Sequence, residues 1–380
     1  MFPGCSNCLK QAKDAAEGKC SFQSPRNWTG THLVVYTGKE TFCYEPDGDK
    51  WYKLADTQLT HKYPDRYKMC SFQGNLYVFP SSLLDVCRGK AEMFDPSLNG
   101  WTTFDCQTGQ TSKEICGLAV VRGQLFAVYE YYSIGRCKSS LSLWLLPDKR
   151  TFHVSKYNFK SNTWTDVHCY GSKPEAASCP CVVAMDRYLY VIGGLMLTGL
   201  DSISPPYRID TMTLHPGMLD GGNQSWHRIT EMKVPRWEAC GAAAHGKIFI
   251  AGGLLASEGP ERNPTSTCEV YNVDADEWQL IASLNSPRFS GSMVYLKGIL
   301  YVVGGRGRNV NKRVMAVESY DFEKKKWKER TKLPINKTFP EWKYDSCALN
   351  IPRILINPIL KRQQGLLRPL LLRSRQSAFR

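Results

Sequence analysis

The sequence predicts an all-β fold, a β-propeller of six four-stranded units, on three observations. Tryptophans at 51, 101, 164, 226, 278 and 327 recur at intervals of 50, 63, 62, 52 and 49 residues, a spacing at which internal repeats mark solenoids and propellers. Five of the six have an aromatic residue seven positions upstream (Tyr44, Phe94, Tyr157, Tyr271 and Tyr320), and the Trp226 unit does not. Between the members of each pair lies a turn-forming stretch: YEPDGDKW, FDPSLNGW, YNFKSNTW, YNVDADEW and YDFEKKKW. Their Asp, Asn, Pro and Gly supply the backbone angles of a tight reversal.

Each octet therefore reads as the end of one strand, a hairpin turn and the start of the next. Upstream of it come a run of small or branched residues, a loop residue and an apolar strand ending in glycines, as in CGAAAHGKIFIAGG (240–253) and GSMVYLKGILYVVGG (291–305). That makes four strands per unit. The pairs Gly193-Gly194, Gly252-Gly253 and Gly304-Gly305 belong where backbone passes closely or adopts positive φ. They lack the lysine and the strand–turn–helix context of a phosphate loop, so no nucleotide site is expected.

A strand ending in Gly-Gly and followed at fixed spacing by Tyr and Trp, with about fifty residues per repeat, resembles the Kelch repeat family. The resemblance covers about residues 28–352, and it implies a six-bladed propeller closed by a C-terminal strand. Units four to six carry the double glycine, whereas YTG (36–38), VFPS (78–81) and AVYE (127–130) replace it in units one to three. Insertions at 133–152 and 197–223 read as long loops. Unit one starts at THLVVYTG without a preceding strand, and the extra segment WKYDSCALNIP (342–352) supplies the missing one, removing exposed sheet edges.

Candidate binding residues come from counting back eight positions from the glycine before each second strand (Gly74, Gly123, Gly246, Gly298), or from Arg187 where that glycine is absent. The count gives Arg66, Ile115, Glu238, Ser290 and Cys179. In Kelch propellers this position commonly faces the funnel, so the resemblance implies that a protein or peptide binds there. Arg236, Trp237, Arg288 and Phe289 adjoin it and add the Arg and aromatic content of binding hot spots. The Kelch-like proteins resembled are adaptors of cullin-RING ubiquitin ligases with BTB and BACK domains before the propeller. The resemblance thus implies a substrate-recognition propeller, with residues 1–27 a linker or the remnant of a preceding domain and any BTB or cullin partner reached through domains outside this sequence. An actin-binding or scaffold Kelch protein is the alternative, and a propeller enzyme a third reading.

Composition narrows these classes. With 42% hydrophobic and 12% aromatic residues the chain can pack a core. The net charge of +14 is half accounted for by residues 353–380, which hold seven Arg or Lys and no acid and read as a disordered basic tail rather than a nucleic-acid site. Fifteen cysteines, an odd number scattered singly, read as reduced buried thiols. Neither Cys5-x2-Cys8 nor Cys179-Pro180-Cys181 has a partner pair at zinc spacing, so no metal or other cofactor is expected. Seven histidines without metal-type spacing and no triad signature argue against catalysis. No run is long enough for a spanning helix and the N-terminus lacks a signal-type apolar run, which leads to an expectation of a cytoplasmic protein and gives no weight to the sequons at Asn27, Asn223 and Asn336.

Overall fold

The computed structural model describes residues 28–57, 67–81, 90–106, 113–132, 150–167, 177–196, 202–203, 207–210, 226–255, 263–308, 314–335 and 345–352. The chain divides into a body, Thr31–Leu349, and a second unit of the two termini, Met1–Gly30 with Asn350–Arg380. The described residues of that second unit are the outer ends of the strands Trp28–Tyr36 and Asp345–Pro352. The expected linker at 1–27 and basic tail at 353–380 lie outside the described residues.

The body is an all-β propeller. Five antiparallel four-stranded sheets are each cut from one contiguous stretch. Sheet 2 holds Tyr67–Phe72, Asn75–Pro80, Lys90–Asp95 and Gly100–Asp105, and sheet 3 holds Lys113–Val121, Gln124–Tyr132, Arg150–Asn158 and Thr163–Val167. Sheet 4 holds Cys181–Met185, Tyr188–Ile192, Tyr207–Asp210 and His227–Arg228. Sheet 5 holds Cys240–Ala244, Lys247–Ala251, Cys268–Asn272 and Glu277–Ile281, and sheet 6 holds Ser292–Leu296, Ile299–Val303, Val317–Asp321 and Lys326–Arg330. Sheet 1 is instead a composite, ordered Asp345–Pro352, Trp28–Tyr36, Thr41–Glu45, Lys50–Lys53, so the contiguous units number five rather than six. Two-residue ribbons, Leu195–Met196 with Ser202–Ile203 and Leu254–Leu255 with Asn263–Pro264, flank sheets 4 and 5.

The insertion at 197–223, expected as a loop, contains the third strand of sheet 4, Tyr207–Asp210, which pairs with Tyr188–Val191. Its cue was missing because unit four lacks the upstream aromatic that marks this strand elsewhere. The insertion at 133–152 ends in strand, its last three residues opening Arg150–Asn158. Residues 133–149 lie outside the described residues.

Local chemistry makes the turns. The first hairpin of sheets 2, 3, 5 and 6 turns through Gln73-Gly74, Arg122-Gly123, His245-Gly246 and Lys297-Gly298, both residues at positive φ, the geometry that matches strand twist. The octet hairpins each place one residue at φ 45–53°: Asp49, Asn99, Asn162, Asp276 and Lys325. Asp and Asn tolerate this region best among residues with a β-carbon. The signature tyrosine reaches the same residue: Tyr44 donates to Asp49 at 2.5 Å, Tyr271 to Asp276 at 2.5 Å and Tyr157 to Asn162 at 3.3 Å.

In sheets 1, 2, 5 and 6 the octet also ties the sheet to the one before it. The indole N–H groups of Trp51, Trp101, Trp278 and Trp327 donate to the carbonyls of Thr331, Ala55, Thr230 and Ala282 at 2.8–3.0 Å. Asp49, Asn99 and Asp276 accept the N–H of that same residue, at Thr331, Ala55 and Thr230, at 2.9–3.0 Å. In these three ties one residue, four positions beyond the preceding tryptophan, is thereby held by both its N–H and its carbonyl. Between Trp51 and Thr331 this tie joins sheets 1 and 6, where Leu33, Val35 and Tyr44 also pack against Val294, Leu296 and Tyr301. Burial of such side chains supplies about 1.5–3 kcal/mol each.

Candidate functional site

The first strand of every sheet lines one central cavity of about 560 Å³. Its wall runs through Lys68–Ser71, Cys116–Val120, Cys179–Ala184, Glu238–Ala243, Ser290–Tyr295 and Asp345–Cys347.

What places side chains at the end of this cavity is a backbone device repeated in sheets 4 to 6. Each double glycine ends a second strand with φ near +65° and then +100°: Gly193 and Gly194, Gly252 and Gly253, Gly304 and Gly305. A Cβ at Gly193 would lie 2.2 Å from the Arg236 carbonyl oxygen, and one at Gly252 would lie 2.4 Å from that of Arg288. Only glycine lets the next unit's Pro-Arg-aromatic segment come this close. The residue after the Arg, or after its counterpart Ala177 in sheet 4, then bridges back: Ser178 to Leu195, Trp237 to Leu254 and Phe289 to Arg306. The residue beyond it, Cys179, Glu238 or Ser290, adopts φ of 51–55° and turns the chain into the cavity wall.

Three of the expected binding residues therefore converge. Cys179 is exposed, and Glu238 and Ser290 are half-buried. Their backbones run hand to hand, the Glu238 N–H donating to the Cys179 carbonyl at 3.1 Å and the Ser290 N–H to the Glu238 carbonyl at 2.9 Å. The Ser290 hydroxyl also donates to the Glu238 carboxylate.

The two arginines are a correction. Arg236 and Arg288 are each 1% exposed and point into their sheets rather than the funnel. Arg236 donates to the carbonyls of Val234, Gly252 and Thr267 at 2.6–3.0 Å and to Glu269 at 2.7 Å. Arg288 repeats the pattern with Ser286, Gly304, Ala316 and Glu318. Burial lowers both guanidinium pKa values and the paired glutamates oppose that shift. Four of the five N–H donors of each guanidinium are thus matched inside the sheet, so removing one partner of the pair would leave the other buried and uncompensated.

Phe289 is likewise buried, at 1% exposure, with the Arg306 guanidinium 5.7 Å from its ring, while Trp237 is half-buried. Ile115 is corrected too. Without glycines at Tyr129 and Glu130, the second strand of sheet 3 runs on to Tyr132, and its partner starts early at Lys113. Ile115 is drawn into that ladder opposite Tyr129, ahead of a bulge before Gly117, and is 2% exposed. Arg66 lies outside the described residues.

Sequence reasoning missed the buried glutamates. Glu92, Glu269 and Glu318 are each 0% exposed, and the readable signal was a Glu two positions before the signature aromatic. It also missed that Cys70, Cys116, Cys181, Cys240 and Cys347 share the cavity wall. Burial pushes the Cys240 thiol up to about 12 and raises those of Cys70, Cys116 and Cys347, so these thiols are neutral and weakly nucleophilic. Among the described residues there is no group of three or more His, Cys, Asp or Glu side chains placed to hold a metal ion. No helix among the described residues is long and apolar enough to cross a membrane.

Comparison with known proteins agrees with this architecture. The family model for the F-box associated beta propeller domain matches residues 246–353. An F-box/kelch-repeat protein of Arabidopsis thaliana is 27% identical over 189 residues, covering 47% of this chain and 45% of its own. Kelch-like protein 35 of Mus musculus is 25% identical over 269 residues, covering 70% of this chain and 38% of its own. The chain thus spans about half or less of the length of these curated relatives. The solved structure of YjhT superposes with a TM-score of 0.56 at 13% identity, covering 81% of this chain and 99% of its own, a likeness of fold. The homologues are Kelch-repeat proteins and the fold is a β-propeller.

Proposed function

We propose that this propeller, whose homologues are Kelch-repeat proteins, is a protein-binding module that takes a segment of its partner at the central cavity, beside Cys179, Glu238 and Ser290. The observation that carries the reading is the convergence of these three side chains, from three successive sheets, on a cavity large enough for an inserted side chain. The reading includes a ring of six blades with Asp345–Pro352 as the closing strand. It is supported by that strand's place beside Trp28–Tyr36 and by Asp345, which accepts from the Met69 N–H of sheet 2 at 2.9 Å and from the Ser292 hydroxyl of sheet 6 at 3.3 Å.

A finer reading makes the propeller the substrate-recognition part of a cullin-RING ligase adaptor. The Kelch-like relative favours it, whereas the relatives named for an F-box place a different domain beside their propellers. The experiment is affinity purification of the full chain from a lysate of its source cells, beside a cavity-filling Leu118→Trp variant and an outer-surface Glu231→Ala control. A partner kept by the native chain and the control but lost by Leu118→Trp supports cavity binding, and BTB or cullin proteins in the eluate support the adaptor reading. Retention by all three variants overturns the cavity as the site.

A further inference from the structure

The cavity wall is two-sided. From sheets 3 and 4 it is apolar, with Leu118–Val120 and Val182–Ala184 in its lining. Sheets 5 and 6 and the strand Asp345–Pro352 add polar groups, Glu238, Ser290, Ser292, Asp345 and Ser346, among apolar residues such as Ala242 and Met293. The hydroxyls on this side are already organised: Ser346 donates to the Ser292 oxygen at 2.8 Å, Ser292 to Asp345 at 3.3 Å and Ser290 to Glu238. Each carboxylate is thus held in one orientation, that of Asp345 also by the N–H groups of Met69 and Ser346 at 2.9 and 3.0 Å.

The charges of this lining are two carboxylates and one ammonium, that of Lys68, which enters beside Met69 on sheet 2. The cavity's cysteines add no negative charge, because burial holds those of Cys70, Cys116, Cys240 and Cys347 as thiols. A net-negative pocket inside a chain of net charge +14 runs against the molecule's overall charge.

We infer that the cavity takes an arginine or lysine side chain presented by the partner, its aliphatic stem against the wall of sheets 3 and 4 and its charged head at Glu238 and Asp345. The inference rests on the protein-binding reading above and gives that reading a chemistry. Long cationic side chains carry the matching division, an apolar stem and a polar tip. An acidic or phosphorylated segment meets the wrong sign, and a purely apolar side chain brings no charge to the two carboxylates.

The test is a positional-scanning peptide library in which one position is fixed as each amino acid in turn, bound to the purified full chain and to Glu238→Gln, Asp345→Asn, Leu118→Trp and Glu231→Gln. Native chain and Glu231→Gln should enrich the Arg and Lys pools, with Glu238→Gln weakening them about tenfold, the effect of one desolvated charge pair. Matched thermal melts show that each variant folds, and Glu238→Gln keeps both the backbone at that position and an acceptor for Ser290. If Glu or apolar pools are enriched instead, and Leu118→Trp abolishes their binding, the cavity reading stands and the cationic anchor is overturned. Arg and Lys enrichment that survives both Glu238→Gln and Asp345→Asn also overturns the anchor. If no pool is enriched, the anchor and the cavity reading fall together.

Discussion

Sheets 5 and 6 and sheets 2 and 3 adopt one architecture and hold it by different means. In sheets 4 and 5 the double glycine admits the backbone of the next unit, and in sheets 5 and 6 a buried Arg–Glu pair holds neighbouring backbone carbonyls. Sheet 2 has Pro80 and Ser81 at the glycine positions, and just before them Phe79, 0% exposed, packs on Phe104, Tyr157 and Trp164 at ring distances of 5.1–6.2 Å. Tyr77, Phe72 and Phe159 extend the same cluster, the last two stacked at 4.3 Å. The propeller thus tolerates exchange of a polar lock for an aromatic one. What the exchange alters is the cavity wall, because the glycine form turns a residue such as Glu238 or Ser290 into it, while the glycine-free strand of sheet 3 buries Ile115.

The largest effects come from breaking each lock by its own logic. Arg288→Met leaves Glu318 buried without its cation and should cost about 3–5 kcal/mol, whereas pairing it with Glu318→Leu should restore only part of that loss, because the Gly304 and Ala316 carbonyls and the Asn285 N–H stay without their partners. Phe79→Ala should cost a similar 3–5 kcal/mol through the cavity it leaves, and no polar partner change can rescue it. Urea unfolding of the three variants decides the matter. Equal losses for Arg288→Met alone and with Glu318→Leu would remove the claim that the pair works as a unit.

Gly252→Ala sharpens the comparison one step down. The new methyl meets the Arg288 carbonyl at 2.4 Å on a backbone at φ +64°, so crowding and strain together should cost about 2–4 kcal/mol. Because the clash falls on the segment that presents Ser290, peptide binding at the cavity should fall with it. Pro80→Ala in sheet 2, where the position already carries a side chain, should leave binding intact. Binding that survives Gly252→Ala would separate the glycine from the site.

Tryptophan ties separate the regions more finely. Trp327 donates to the Ala282 carbonyl at 2.8 Å, so Trp327→Phe leaves a part-buried acceptor unmet and should cost about 1–3 kcal/mol. Trp164 has no hydrogen-bond partner for its indole nitrogen among the described residues, and its polar neighbour is the Cys106 thiol, a weak acceptor. Trp164→Phe should therefore cost clearly less than Trp327→Phe in the same denaturant series. Comparable costs would show that ring packing, not the hydrogen bond, is what both tryptophans supply.

The sequence made the repeat legible because its markers are local: an aromatic pair seven residues apart brackets a turn whose chemistry is written in Asp, Asn and Gly. Glycine pairs were legible for the same reason, since no other residue sits easily at φ near +65° and +100° in succession. The roles of Arg236 and Arg288 were not, because a Pro-Arg-aromatic motif looks alike whether the guanidinium faces a partner or a glutamate 30 or more residues away. Reading Glu269 and Glu318 together with those arginines would have settled it, as both follow the same offset from the signature tyrosine. Ile115 was misplaced by counting alone: eight residues from a glycine is a structural address only while the strand between keeps its length, and the bulge before Gly117 alters it. Glu238 and Ser290 were reached by that count because their strands have equal length.

The smallest effect tests the turn itself. Four octets put Asp or Asn at the residue with φ near +50°, and sheet 6 puts Lys325 there at φ 50°. Lysine lacks the short polar side chain that settles this conformation, and Tyr320 has no carboxylate or amide to reach as Tyr44 and Tyr271 do. Lys325→Asn should therefore stabilise the protein by about 0.5–1 kcal/mol, from relieved backbone strain and a new acceptor for the Tyr320 hydroxyl. The companion variant Tyr320→Phe divides the two sources: if Lys325→Asn stabilises equally with and without that hydroxyl, the gain is backbone strain alone. The reverse exchange, Asp276→Lys, should cost more than Lys325→Asn gains, because Asp276 also accepts the Thr230 N–H that ties sheet 5 to sheet 4. Equal and opposite shifts in the urea midpoint would mean that the tie contributes nothing beyond the turn.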